Sequence, residues 1–269
     1  MSNSKLIKDN PVNLKILQQQ NILLVEDDLL NAKLVSILFL QNRLTLQHVE
    51  NGISAIEKLK TNEYDIILMD MEMPVMNGYQ ATTIIRQQLK RNTPIIALTA
   101  HVLPGEKEKC LKYGMNDYLT KPIDPNLLFE SIFNLVSGKK YIVANSIAPK
   151  NETKRVLPQQ ICNLAYLIET TGGNKKMINN IVAVFFKETK KELCFLRDAI
   201  QKSNYPAINE VSHKIKSAFS ILGITLLENV FKEMEKLSSL SAPIEKIKLL
   251  NNTVNIVFNQ ARAEMKAMD

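Results

Sequence analysis

Short aliphatic runs alternate with helical periodicity through the first half of the chain. Residues 21–25 (NILLV), 45–49 (TLQHV), 65–69 (DIILM), 94–98 (PIIAL) and 117–119 (DYL) have the length and aliphatic content of strands. Between and after them, 29–40, 54–60, 79–90, 105–113 and 125–135 read as helices; in the first, Leu30, Leu34, Ile37 and Leu38 share one face. Five such alternations predict an α/β, doubly wound, five-stranded parallel sheet covered on both sides. In a sheet of this kind the functional site lies beyond the carboxyl ends of the strands, at a topological switch point.

The pattern lapses after Ser137 into SGKKYIVANSIAPKNETKRVLP, mixed in polarity and without a sustained period, which reads as a linker. Beyond it no further strand pattern occurs. Residues 174–201, 206–222, 226–240 and 244–268 are long and amphipathic, with breaks at 203–206, Gly223 and 241–243 and a short helix expected at 162–169. Four principal helices with short connections predict an all-α antiparallel four-helix bundle. The expected division is an N-terminal extension (1–19), an α/β domain (20–138), a linker (139–158) and a helical domain (159–269).

Composition narrows the class. With 45% apolar and 23% charged residues the chain is an ordinary soluble protein with a packed core. No run reaches the roughly 18 apolar residues of a membrane span, and the polar start MSNSKLIKDNPVNLK lacks the apolar core of a signal peptide. Cys110, Cys162 and Cys194 are odd in number and widely spaced, which suggests neither a disulfide framework nor a CxxC site. A cytoplasmic, reduced protein with no membrane contact is expected. The net charge of +7 is uneven: residues 1–137 hold 14 basic and 15 acidic side chains, and the remainder holds 20 and 12. The basic excess therefore belongs to the helical half, which is expected to seek an acidic partner.

Chemistry gathers at the predicted strand ends. Glu26 and Asp27 follow the first strand, Asp70 ends the third, Thr99 the fourth, and Lys121 follows the fifth. Carboxylates brought together repel unless a cation joins them, and hard oxygen ligands with open positions suit Mg²⁺ completed by phosphate oxygens. Lys121 adds a fixed positive charge and the Thr99 hydroxyl a hydrogen-bond donor. Asp28 reads as a helix cap, His101 as a surface residue and His48 as structural. The motifs LLVEDD, MDMEMPVMNG, LTA and TKP, in this order and spacing, closely resemble the receiver domain of bacterial response regulators, a flavodoxin-like fold. The resemblance implies that Asp70 is the phosphoryl acceptor. It makes Glu26 and Asp27 the Mg²⁺-holding acidic pair, with Asp70 and the backbone carbonyl of Glu72 as further ligands. Thr99 and Tyr118 become the switch residues, Lys121 the phosphate-contacting lysine, and Lys121–Pro122 a cis peptide. Phosphorylation and dephosphorylation of the aspartate would be self-catalysed.

The helical half holds one histidine, His213, in HKIKSAFSILG. Lys216 and Ser217, three and four positions on, share its helical face, while Val211, Ile215, Ala218 and Leu222 are spaced to bury another stripe. Neutral imidazole near pH 7 is a competent nucleophile. The segment resembles the active helix of histidine-containing phosphotransfer domains, which implies that His213 is phosphorylated and that Lys216 helps hold the phosphoryl group. Ser217 departs from the glycine usual in that family, and Gly223 matches the glycine that ends its motif.

Together the halves resemble the C-terminal modules of hybrid sensor histidine kinases. The implied partners are an upstream histidine kinase and a downstream receiver, with the phosphoryl group passing from a donor phosphohistidine to Asp70, to His213, and to another receiver aspartate, reversibly. No glycine-rich phosphate loop of an ATP-binding kinase domain is present. Two other readings of the helical half stay open: a basic output domain binding nucleic acid, disfavoured because Lys and Arg are spread over several helices, and an inert docking or dimerisation element.

Overall fold

The computed structural model describes residues 11–100, 105–138 and 161–268. The expected linker at 139–158 and His101 lie outside the described residues. The chain divides into two units, 1–151 and 152–269.

Every strand of the first unit is parallel. The strands β1 (Asn21–Val25), β2 (Thr45–Val49), β3 (Ile66–Asp70), β4 (Ile95–Thr99) and β5 (Asp117–Thr120) lie in the order β2-β1-β3-β4-β5. The order reverses direction between β1 and β3, which opens a crevice at their carboxyl ends. Because successive side chains of a strand point to opposite faces, one sheet builds two cores. Ile22, Leu24, Ile66, Leu68, Ile96 and Leu98 face α2 (Leu29–Gln41) and α6 (Pro125–Ser137). Leu23, Val25, Ile67, Met69, Ile95 and Ala97 face α3 (Gly52–Thr61), α4 (Gly78–Gln87) and α5 (Glu106–Lys112). The central strands β3 and β4 are buried throughout, while the edge strand β2 buries only Val49.

The pattern gives no helix before residue 20, yet Pro11–Gln18 forms α1. Pro is well placed as a first helical residue, where its missing N–H leaves no hydrogen bond unmade. Leu17 enters the core beside α2 and α6, α1 packs against α6, and the Gln18 amide donates to the Asn42 carbonyl at 3.1 Å. At least part of the expected extension is thus built into the first unit. Asp28, Asn51, Asn77 and Asp124 cap the N-termini of α2, α3, α4 and α6 with their side chains.

The second unit is helical: α7 (Ala165–Thr171), α8 (Lys175–Gln201), α9 (Tyr205–Ile221), a 3₁₀ turn (Thr225–Leu227), α10 (Glu228–Ser239) and α11 (Ile244–Met268). Helix α8 packs on α9, α9 on α10, α10 on α11, and α11 back on α8. Each of the four contributes a ring to the core. Phe219 of α9 lies with its centroid 5.5 Å from Phe185 of α8, 5.7 Å from Phe231 of α10 and 6.3 Å from Phe258 of α11. The turn after α9 needs glycine: Gly223 has φ +63°, and a Cβ there would lie 2.4 Å from the Asn163 carbonyl oxygen. Among the described residues no helix is long and apolar enough to cross a membrane.

Candidate functional site

Parallel strands deliver their following residues to one edge. Glu26 and Asp27 leave β1 and Asp70 ends β3, and one ligand oxygen from each lies within 4.8 Å of the others. Lys121, from the turn after β5, sets its ammonium 2.7 Å from Glu26 Oε2 and 2.8 Å from Asp70 Oδ2. Three carboxylates and one ammonium carry a formal charge of −2 within a largely buried cup.

The supports of this cup are local. Glu26 is fully buried; its Oε1 accepts from the Asn31 side-chain amide at 3.2 Å and the Asp28 N–H at 3.3 Å. Asp28 itself caps α2 through the Asn31 N–H at 2.8 Å, so one turn of helix orients Glu26. Glu26 Oε2 is held by the ion pair with Lys121. Burial, helped by the neighbouring Asp70 charge, pushes the Glu26 carboxyl well above its ordinary range, against the pull of Lys121. For Lys121 burial acts downward, but Glu26 and Asp70 outweigh it and hold the ammonium charged. Asp70 Oδ1 accepts from the Glu72 N–H at 3.1 Å, which fixes Glu72 beside it. The backbone crowds here: a Cβ on Gly78 would lie 2.4 Å from the Asp70 carbonyl oxygen. Thr99 is buried at the end of β4, and its carbonyl accepts from the Lys121 N–H at 2.7 Å across a cis Lys121–Pro122 turn. Tyr118 is half-buried against the α3–α5 core, with Lys107 over its ring at 5.8 Å.

The donor set fits a hard divalent cation. Net negative charge and three oxygen donors in reach of one centre are the features such an ion satisfies.

A second cluster lies in the helical unit. His213 and Lys216 of α9 both meet Glu235 of α10: His213 Nδ1 lies 3.2 Å and Lys216 Nζ 2.6 Å from the same oxygen, Oε1. Ser217 supplies the carbonyl that accepts from the Ser220 hydroxyl at 2.7 Å. Burial would raise the Glu235 carboxyl, but the hydrogen bonds from His213 and Lys216 hold it below its ordinary value.

Sequence reasoning placed neither Asn31 nor Glu235 in a site. His48, which reads as structural from the sequence, donates from ring Nε2 to the Glu26 carbonyl at 2.8 Å and ties edge strand β2 to the acidic loop. Asn31 is signalled only by its place in the turn that Asp28 caps. Glu235 has no spacing signal, because it comes from another helix.

A doubly wound α/β unit with a buried acidic cup and a lysine at its switch point defines a class of phosphate-handling domain. Comparison makes the class specific: residues 22–133 match the family described as response regulator receiver domain. They are a receiver domain of two-component signalling, and receiver domains bind Mg²⁺ in their acidic cluster, here Glu26, Asp27 and Asp70.

The relatives are hybrid histidine kinases. The chain is 39% identical over 148 residues to hybrid signal transduction histidine kinase I of Dictyostelium discoideum, an alignment covering 51% of this chain and 8% of that protein. It is 28% identical over 222 residues to the histidine-protein kinase BarA of Escherichia coli K12, covering 80% of this chain and 23% of BarA. The chain thus spans less than a quarter of the length of these relatives. Among solved structures it is similar to the receiver domain of a Pseudomonas aeruginosa sensor histidine kinase with magnesium coordinated in the active-site cleft. That match has 41% identity and a TM-score of 0.41, and covers 44% of this chain and 98% of that one.

Proposed function

We propose that the chain is a two-station phosphoryl carrier: Asp70 accepts a phosphoryl group from a donor phosphohistidine, and His213 takes it onward to the aspartate of another receiver. The observation that carries the reading is the convergence of buried Glu26 and Asp70, half-buried Asp27 and the Lys121 ammonium from three separate strand ends. Asp27, Asp70 and the Glu72 carbonyl would hold Mg²⁺, with Glu26 beside them. The ion supplies neutralisation of charge on nucleophile and phosphoryl oxygens, the largest demand in phosphoryl transfer.

Each residue then has a task. An Asp70 carboxylate oxygen forms the O–P bond as the donor's N–P bond breaks and its imidazole leaves with the electron pair. Glu72 N–H and Lys121 hold the two Asp70 oxygens in place for attack. Lys121 remains as the counter-charge to the new phosphoryl group. The Thr99 hydroxyl donates to a phosphoryl oxygen, and Tyr118 repacks behind it, a local charge event biasing a two-state element. In the helical unit, the cyclic packing of α8–α11 supports an antiparallel four-helix bundle that presents His213 on one face. The upstream partner is a histidine kinase and the downstream partner another receiver.

Acetyl phosphate with Mg²⁺ tests the reading on the full chain. Label is expected on Asp70, base-labile, and on His213, base-stable. Asp70→Asn removes both and His213→Gln removes only the second. A base-stable label that survives His213→Gln contradicts the second station.

A further inference from the structure

His48 stands on edge strand β2, paired in register with Leu24 of β1. Alternation along the strands puts Leu46 and His48 on the face that carries Ile22 and Leu24. On that face Asn31 of α2 holds the Glu26 carboxylate.

The ladder between β1 and β2 runs out here. The Glu26 N–H still donates to the Val49 carbonyl at 3.1 Å, but β2 ends at Val49, and Asn51 already caps α3. In a continuing parallel ladder the next bond would bring a backbone N–H of the partner strand to the Glu26 carbonyl. The His48 ring takes that place, with Nε2 2.8 Å from the carbonyl oxygen. A carbonyl can only accept, so Nε2 carries the proton. Glu26 is fully buried, and a buried carbonyl left unpaired is costly.

That carbonyl belongs to the peptide joining Glu26 to Asp27. Holding its plane restrains ψ of Glu26 and φ of Asp27 together, and so the directions in which the two carboxylates leave the chain. The other supports act on side chains: Asn31, the Asp28 N–H and Lys121 hold the Glu26 carboxylate, and the Glu72 N–H and Lys121 hold that of Asp70. We infer that His48 is a positioning residue of the acidic cup: its ring grips the Glu26–Asp27 peptide from the sheet edge and thereby aims Asp27 at the centre shared with Glu26 and Asp70. This rests on the reading of that cup as the Mg²⁺ site. Without the ring, the carbonyl reaches a partner only by rotating outward to water, and the rotation carries Asp27 with it. A ligand free to take several directions must then be ordered as the ion binds, which weakens binding.

The test uses the full chain in three forms. Beside the parent stand His48→Gln, whose side-chain amide occupies the Nε2 position and still donates, and His48→Val, which suits an edge strand but donates nothing. Mg²⁺ is titrated into each, well below the melting midpoint, and followed at the backbone amides of Asp27, Asp70 and Glu72 in ¹H–¹⁵N spectra. His48→Val is expected to bind Mg²⁺ about tenfold more weakly than the parent, and His48→Gln within about threefold of it. Melting midpoints in EDTA are read alongside. A residue that only stabilises the sheet lowers the midpoint of His48→Val and leaves its Mg²⁺ affinity at the parent level, because affinity is measured on the folded protein. Parent-level affinity in His48→Val overturns the inference. An equal loss of affinity in both variants also overturns it, since the effect then belongs to the bulk of the ring and not to its donated bond. Should His48→Val not fold, His48→Asn, whose amide nitrogen stops short of the Nε2 position, takes its place under the same expectation. A parent that binds no Mg²⁺ overturns the reading of the cup, and the inference falls with it.

Discussion

Replacing Asp27 with Asn removes one of three carboxylates whose oxygens lie within 4.8 Å of one another. At that separation and an effective dielectric of about 20, each pair repels by about 3 kcal/mol. Asp27 takes part in two such pairs. It is half-buried, so water screens part of the repulsion, and Lys121 offsets another part. A net relief of about 1–3 kcal/mol remains for the metal-free protein. For a domain of this size that is a rise of about 4–12 °C in the receiver's melting midpoint. Magnesium should reverse the ranking. At 100 times its dissociation constant an ion adds about 2.7 kcal/mol to the form that binds it, which the parent gains and the Asp27→Asn variant largely forgoes. Thermal melts of both chains in EDTA and in saturating Mg²⁺ read all four values, and the receiver transition is the one Mg²⁺ moves in the parent. A variant that melts below the parent in EDTA, or that gains as much from Mg²⁺, would refute the electrostatic account of the cup.

Two other consequences concern stability. Val75 sits on the loop between β3 and α4 with φ +69°, a left-handed conformation that a β-branched side chain adopts at a cost, and it is 83% exposed. Val75→Asn, which tolerates this conformation, is expected to stabilise the receiver by about 1 kcal/mol in urea unfolding; an unchanged or lower midpoint contradicts the strain. The Glu235 carboxyl is held below its ordinary value of 4.5 in the folded state. The unfolded chain therefore binds more protons as pH falls through 4.5 and below, and the stability contributed above that pH is lost. Urea titrations of the helical unit's transition at pH 6 and pH 3.5 should show a smaller loss in Glu235→Gln than in the parent, and an equal loss removes the linkage.

The receiver half is legible because its physics is local and repetitive. NILLV, DIILM and PIIAL are near-continuous aliphatic runs because strands buried on both faces have no solvent side to mark. Once five strands are taken as parallel, Glu26, Asp27, Asp70 and Lys121 must meet at one edge, so convergence follows from topology. Asp28 is readable as a cap because capping depends on the next three residues alone. Helix α1 is not readable: PVNLKILQ is short and mixed in polarity, and its burial arises only in the tertiary core, beside α2 and against α6, the latter more than a hundred positions away. Glu235 escapes for a related reason. In ENVFKEMEKLSS it looks like one more charged residue of a solvated face, and its partner His213 lies 22 positions back, across a turn. The signal present is the buried stripe of Phe231, Met234 and Leu237, which puts position 235 at the margin where α10 meets α9.

The central claim is that one phosphoryl group visits two residues in sequence, and the order in which label arrives tests it most directly. After full chain is mixed with a phosphorylated histidine kinase and Mg²⁺, mass-spectrometric mapping of rapidly quenched samples should find phosphate first on Asp70 and later on His213. The Asp70→Asn chain should carry none on His213 from the same donor. Phosphate reaching His213 at the parent rate in the Asp70→Asn chain, or never reaching Asp70 in the parent, would contradict the account.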